Sequence, residues 1–285
     1  MRSEKLRGRI TQALISGIAG IVLVFAACGA AQAPVQDSPA DLVKKGEYAT
    51  AISLLAKSLE ANPADEEARG LLLRAYLETG KYAEAESLAQ KSKSPSSRLA
   101  LTDVYTITGR YQQALAEADA IALGATGVVR LQADMRRARL LKMTGKDDLA
   151  APILKSFIEH YNSEKEKKAE DLTLVAEALA ALEKYKEAND VIIEATNDDD
   201  EYIEAQLFGG ELYTSKYNYA EAADFIKSAL EINPHSARAH LAAASNKSIE
   251  GREEMNQELD KALETNPNYT DALVLKAWNE VEGEN

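Results

Sequence analysis

The feature that most constrains this chain is that it resembles itself. Three stretches carry the likeness: "GEYATAISLLAKSLEANP" from Gly46, "GKYAEAESLAQKSKSP" from Gly80 and "YNYAEAADFIKSALEINP" from Tyr217. Tyr48 and Tyr82 lie 34 residues apart. Tyr48 to Pro63 and Tyr219 to Pro234 each span 15 residues, and Pro234 to Pro267 spans 33. Related turns occur at "TGRYQQALAEA" (Gly109), "TGKDDLAAPIL" (Gly145), "LEKYKEANDVI" (Lys184, Tyr185) and "EGREEMNQELDKALETNP" (Gly251). After residue 40 the chain is rich in alanine and poor in Val/Ile/Thr clusters, so it reads as helix nearly throughout. A period near 34 residues marks a helix–turn–helix array. One such pair cannot bury its apolar stripe, so neighbours must stack into a continuous core. A side chain such as Leu54 or Ile226 contributes about 1.5–3 kcal/mol when buried there.

These residues resemble the tetratricopeptide repeat family over about residues 40 to 282. The small residue early in each second helix recurs at Ala51, Ala85, Ala114, Ala150, Ala188 and Ala222. The tyrosine of the turn recurs at Tyr48, Tyr82, Tyr111, Tyr185 and Tyr219, and a large first-helix residue at Tyr76, Tyr105, Leu141 and Tyr213. Asn-Pro stops the second helix before Pro63, Pro234 and Pro267. The stretch "EYIEAQLFGGELYTSKYNYAEAADFIKSALEINP" matches best, with Gly210 at the close helix contact. The resemblance implies an all-α, right-handed superhelical solenoid of about seven helix pairs, with first (A) helices lining a concave face and second (B) helices outside.

Departures from the pattern are informative. The first A helix is short, starting near Pro39 or Ala40. The second repeat ends early at "KSKSPSS", which brings the next turn after 29 residues, whereas the fourth and fifth are spaced 36 and 38. Insertions at "HYNSEKEKKAED" and "NDDDEY" are expected in loops on one rim. The seventh repeat has Arg252 where tyrosine is expected. The closing "YTDALVLKAWNEVEGEN" reads as a capping helix with Leu273, Ala277 and Val281 on its buried side.

The first nine residues carry Arg2, Lys5, Arg7 and Arg9 against Glu4, and Ile10 to Ala27 holds no charge for 18 residues. A basic stretch, an apolar stretch and small residues form an export signal. Two processing routes stay open. Ala31-Gln32-Ala33 fits an ordinary signal-peptidase site, although Pro34 would follow the cut. The sole cysteine, Cys28, lies in "FAAC", which resembles the lipobox of bacterial lipoproteins apart from Phe25. Lipidation there would anchor the chain at about 0.8 kcal/mol per buried methylene. The domains then run 1–27 signal, 28–39 flexible linker and 40–283 solenoid. After lipidation the mature body would have no free thiol, so disulfides and thiolate metal sites are excluded.

The net charge is −13. Removing the +3 leader leaves −16, which argues against nucleic acid and against electrostatic attachment to anionic lipid. The chain has no HExxH, GxSxG, Walker loop or GxGxxG. Of His160, His235 and His240, the last two are five apart with no third ligand in view, and "NDDDE" at 197–201 lacks the spacing of a calcium loop. No enzyme, cofactor, metal or small-molecule substrate is expected.

In the register that the resemblance implies, Arg74, Asp103, Arg139, Glu177, Glu211 and Ser245 face the concave side, with Arg136 and Lys142 adding positive charge near the centre. A peptide or helix of another envelope protein could lie there, guided by charge. The Lys/Asn pattern that clamps a C-terminal carboxylate in some relatives is absent at these positions. The expected function is a non-catalytic adaptor on the periplasmic side of the bacterial envelope, lipid-anchored at the outer membrane. Similar lipoproteins serve pilus assembly, outer-membrane protein insertion and exopolysaccharide export. The alternative is a permanent subunit of a membrane-associated complex.

Overall fold

A glycine at positive φ ends four of the A helices: Gly46 (79°), Gly80 (69°), Gly109 (74°) and Gly145 (70°). Glu183 and Tyr217 (62° each) take the same left-handed conformation in the next two repeats. One residue further on, the backbone N–H reaches back five residues: Lys81 N to Tyr76 O (2.8 Å), Arg110 N to Tyr105 O (2.7 Å) and Asn218 N to Tyr213 O (3.0 Å). This Schellman closure satisfies the last carbonyls and turns the chain straight into the B helix. The large residue four or five before the turn thus supplies the carbonyl that closes it. Looser connections start the A helices, and there side-chain caps appear, at Ser38, Asp65, Ser94 and Ser236.

The computed structural model describes residues 37–283. The leader, Cys28 and the linker up to residue 36 lie outside the described residues. Among the described residues there are fifteen helices and no strand, in seven pairs and a last single helix. The pairs are α1 (Pro39–Lys44) with α2 (Tyr48–Ala61), α3 (Glu66–Glu78) with α4 (Tyr82–Ala89), and α5 (Pro95–Ile107) with α6 (Tyr111–Gly124). They continue with α7 (Gly127–Met143) and α8 (Asp147–Ser163), α9 (Ala169–Ala181) and α10 (Tyr185–Asp198), and α11 (Ile203–Ser215) and α12 (Tyr219–Ile232). The last are α13 (Ala237–Lys247) with α14 (Arg252–Thr265), then α15 (Thr270–Gly283). Each A helix packs on its own B helix and on the next A helix, α3 on α5, α5 on α7, α7 on α9, α9 on α11 and α11 on α13. The A helices therefore form the inner layer. No described helix is long and apolar enough to cross a membrane.

The six alanines that mark the repeats are the tightest points of this packing. Ala51, Ala85, Ala114, Ala188 and Ala222 are wholly buried, and Ala150 is nearly so. At the sixth pair the A helix comes closer still. A Cβ on Gly209 would lie 2.4 Å from Phe225 Cδ1, and one on Gly210 would lie 2.7 Å from Ile226 Cγ1. Phe157, Leu55 and Ile192 fill the core between layers. Leu55, not Leu54, takes the deepest place in the first pair; Leu54 packs at its edge.

Two expectations need correction. The insertion at "HYNSEKEKKAED" lengthens α8 through Ser163 before a short loop, and that at "NDDDEY" begins inside α10. Both sets of extra residues continue an amphipathic B helix for part of their length because no proline or glycine stops them. The capping helix is rotated from the expected register. Leu273, Ala277 and Val281 face outward, with Leu273 and Val281 at 45 % and 63 % exposure, while Ala272 and Asn279 are buried. Asn279 donates to Arg252 O and to Asn256 Oδ1 (2.8 Å), so polar contacts with α14 set the rotation.

The solenoid also meets itself. Asn233 Nδ2 donates to the Tyr48 hydroxyl at 2.8 Å, across 185 residues of sequence. Asn266 Nδ2 donates to the Tyr82 hydroxyl at 3.1 Å, across 184. The same contact thus recurs one repeat later, joining pair one to pair six and pair two to pair seven. Around it Asn268 Nδ2 donates to Gly80 O (3.1 Å), Lys44 pairs with Glu201 (2.6 Å) and Arg74 reaches Glu204 (3.4 Å). Each seam asparagine also accepts, through Oδ1, the N–H two residues on, from His235 (3.0 Å) and Asn268 (3.1 Å). The Asn-Pro step therefore stops a B helix and supplies the amide that joins two turns of the superhelix. Asn62 makes the same local turn at the first repeat, but it lies beyond the seam and is exposed.

Candidate partner-binding site

Successive A helices present their middle residues at intervals of one repeat, so charged side chains from neighbouring helices meet on the inner face. Arg136 of α7 forks onto Asp103 of α5, Nε and Nη2 each at 2.7 Å from one carboxylate oxygen. Arg139, one turn on, pairs with Glu177 of α9. Lys142 donates to Ala181 O at 3.1 Å and lies 3.4 Å from Asp147. Arg238 of α13 forks onto Glu211 of α11 at 2.6 and 2.7 Å, and its Nη1 reaches Glu204 at 2.9 Å. Glu204 also accepts from Arg74 of α3, which carries the network across the seam. Ser245 lies further along α13, its hydroxyl donating to Leu241 O at 3.0 Å.

Of the charged residues that the sequence register places on the concave side, Arg74, Asp103, Arg136, Arg139, Glu177 and Glu211 are in this ladder, whereas Lys142 turns to the Ala181 carbonyl and to Asp147 of α8. The structure brings them together in pairs, not as free groups. Sequence reasoning missed Glu204 and Arg238, the two that tie the ladder together. Glu204 lies two turns before Glu211 on α11, and Arg238 begins the next A helix, so the periodicity that located the others could have found both.

Magnitudes decide what such pairs can do. The Arg74–Glu204 pair is exposed on both sides; such a pair is worth about 0–1 kcal/mol and can exchange a partner's charge for an internal one at little cost. The Arg139 side chain is about half exposed, but its partner Glu177 is sheltered. Arg136 and Arg238 are more sheltered. Burial works against their charge, and the facing Asp103 and Glu211 carboxylates outweigh it, so both guanidinium groups are held firmly cationic. Glu78, on α3 beside Glu204, behaves oppositely. Burial, then the Glu204 charge, push its carboxyl above the ordinary range, despite Arg74, Arg238 and the Tyr48 hydroxyl.

Two hollows open on this face. One of about 860 Å³ is lined by Met135, Arg139, Glu177, Phe208, Glu211 and Ser245, among others. The second, about 510 Å³, lies where pairs two to four meet pair seven and α15. Arg238, Tyr269 and Asp271 line both. Of the histidines, His240 is buried, with Nδ1 2.7 Å from Glu258 and Nε2 3.0 Å from Pro234 O, so it supports the α13–α14 contact.

Residues 42–93 match the family model described as "Tetratricopeptide repeat". No curated protein sequence matches the chain. Among solved structures, a tetratricopeptide repeat protein from Parabacteroides merdae is 16 % identical, with a TM-score of 0.52 over 85 % of this chain and 96 % of its own. A thermophilic tetratricopeptide repeat protein from Thermus thermophilus is 20 % identical, with a TM-score of 0.52 over 66 % of this chain and all of its own. At these identities the likeness is one of fold. The periodic turns, the buried alanines and the A-on-A stacking give the described chain the fold of a tetratricopeptide repeat array, and residues 42–93 match that family's model.

Proposed function

We propose that this chain is a non-catalytic adaptor of the bacterial envelope that holds a partner protein against the inner face of its solenoid. The observation that carries the reading is the ladder of ion pairs beside a hollow of about 860 Å³. It offers alternating charge and apolar floor to an extended segment or a helix. The basic and apolar N-terminal sequence supports export, and the lone Cys28 supports a lipid anchor on the periplasmic side of the outer membrane. Assembly of pili, secretion or exopolysaccharide machinery is the kind of task proposed.

In-cell crosslinking with mass spectrometry tests the reading. Arg139→Glu lowers partner capture while helicity stays unchanged; undiminished capture removes the hollow beside Arg139 as the docking surface. Cys28→Ser abolishes labelling by a fatty-acid analogue, and persistent labelling removes the anchor. One observation favours a second reading, a permanent subunit of a membrane-associated complex. The outward side of α15 exposes Leu273 and Val274, at 45 % and 62 %. A purified chain that stays monomeric supports the adaptor; obligate assembly supports the subunit.

A further inference from the structure

The second hollow exists only because the superhelix meets itself. One wall comes from pairs two to four and carries Ile107, Tyr111 and Met143, which are 43 %, 38 % and 57 % exposed. The facing wall comes from pair seven and α15, with Tyr269 and Asp271. Three large apolar side chains thus stand exposed together on one shelf.

The charges around the shelf are one-sided. Glu78, Asp103 and Asp271 line it, and Arg238 is the one cation among the lining residues. Arg238 is engaged by Glu211 and Glu204, and Asp103 by Arg136. Among the described residues Glu78 and Asp271 have no cation within ion-pair distance. Glu78 is partly sheltered, and burial, then the Glu204 charge, hold its carboxyl above the ordinary range, so a positive charge that reached it would favour its ionised form.

Building on the adaptor reading, we propose that this seam cleft is where the partner docks, through a cationic and apolar peptide segment. An aliphatic or aromatic side chain rests on Ile107, Tyr111 and Met143, and a neighbouring Lys or Arg reaches Glu78 and Asp271. Charge complementarity selects this occupant over a second copy of the chain, since a body of net charge near −16 repels its like. Because the two walls are far apart in sequence, the occupant also bridges the seam and stabilises its closure by mass action.

The test is selection from a phage-displayed library of random peptides on the full chain in mild detergent. Titration of the enriched peptides against variants at exposed positions follows. The expected result is enrichment of Lys or Arg beside an aliphatic or aromatic residue, with affinity at least tenfold weaker for Asp271→Lys and for Met143→Lys. Enrichment of acidic peptides overturns the proposal. So does a tenfold loss with Arg139→Glu and none with Asp271→Lys or Met143→Lys; the adaptor reading then stands and only the seam cleft falls. Failure of any peptide to enrich overturns both. Circular dichroism of each variant confirms that the helices are retained.

Discussion

The left-handed glycines offer a controlled test of the seam, because the same substitution meets different surroundings along the chain. Gly46 and Gly109 have nearly equal φ, 79° and 74°. An alanine at either site meets the left-handed penalty, about 1–2 kcal/mol. Gly109 has nothing within 4 Å of where the Cβ would stand, so Gly109→Ala costs about that and no more. At Gly46 the new Cβ would fall 2.2 Å from Asn233 Oδ1 and 2.9 Å from His235 Cβ. Asn233 must move, and its amide leaves the Tyr48 hydroxyl in a buried site. Stranding a buried polar group costs about 1–3 kcal/mol. Gly46→Ala therefore loses about 2–5 kcal/mol in all. Gly80→Ala behaves alike, since its Cβ would fall 2.2 Å from Asn266 Oδ1. Urea unfolding of the full chain in mild detergent, followed by circular dichroism, compares the three variants with the parent. Equal losses at Gly46, Gly80 and Gly109 would refute the reasoning, because the left-handed penalty would then be the whole effect.

Two further outcomes rest on other parts of the structure. Glu183 holds the left-handed turn position without being glycine, and its side chain is exposed. Glu183→Gly relieves the strain and raises stability by about 0.5–1 kcal/mol in the same urea assay. Glu258 is the second: burial alone would raise its carboxyl, but hydrogen bonds from Lys247, His240 and Lys261 bring it from 4.5 down to about 2. A carboxylate whose folded pKa lies below its unfolded value stabilises the fold above the unfolded pKa. That stabilisation is lost as the pH falls from about 4.5 towards about 2. Glu258→Gln should flatten the pH dependence of unfolding across that window, and an unchanged slope would show that the α13–α14 cluster is not its source.

The sequence was most legible where one residue type has one physical job. Ala51 or Ala222 could be placed in the A–B contact because only a small side chain allows the helices to approach, and the spacing repeats it. The Asn-Pro steps were legible as helix stops for the same reason. Their second role was not, because Asn62, Asn233 and Asn266 are alike locally and differ only in what the superhelix brings against them after about 185 residues. The inner-face residues followed from register, yet the register could not say that Arg139 and Arg74 are already paired, since their partners Glu177 and Glu204 lie on other helices. The capping helix misled because both sides of α15 carry apolar residues. Leu273 and Val281 suggested one buried face, whereas the Asn279 contacts with α14 chose another.

The first two repeats of the solenoid rest against its sixth and seventh. Lys44 and Glu201 report on that directly, being 2.6 Å apart, solvent-accessible and separated by 157 residues. A zero-length carbodiimide crosslink on the full chain, mapped by mass spectrometry, should join these two residues as readily as the local pair Lys276 and Asp260 at 2.5 Å. Recovery of the Lys276–Asp260 link with no Lys44–Glu201 link would mean that the superhelix stands open, and the seam with its cleft would have no place in this protein.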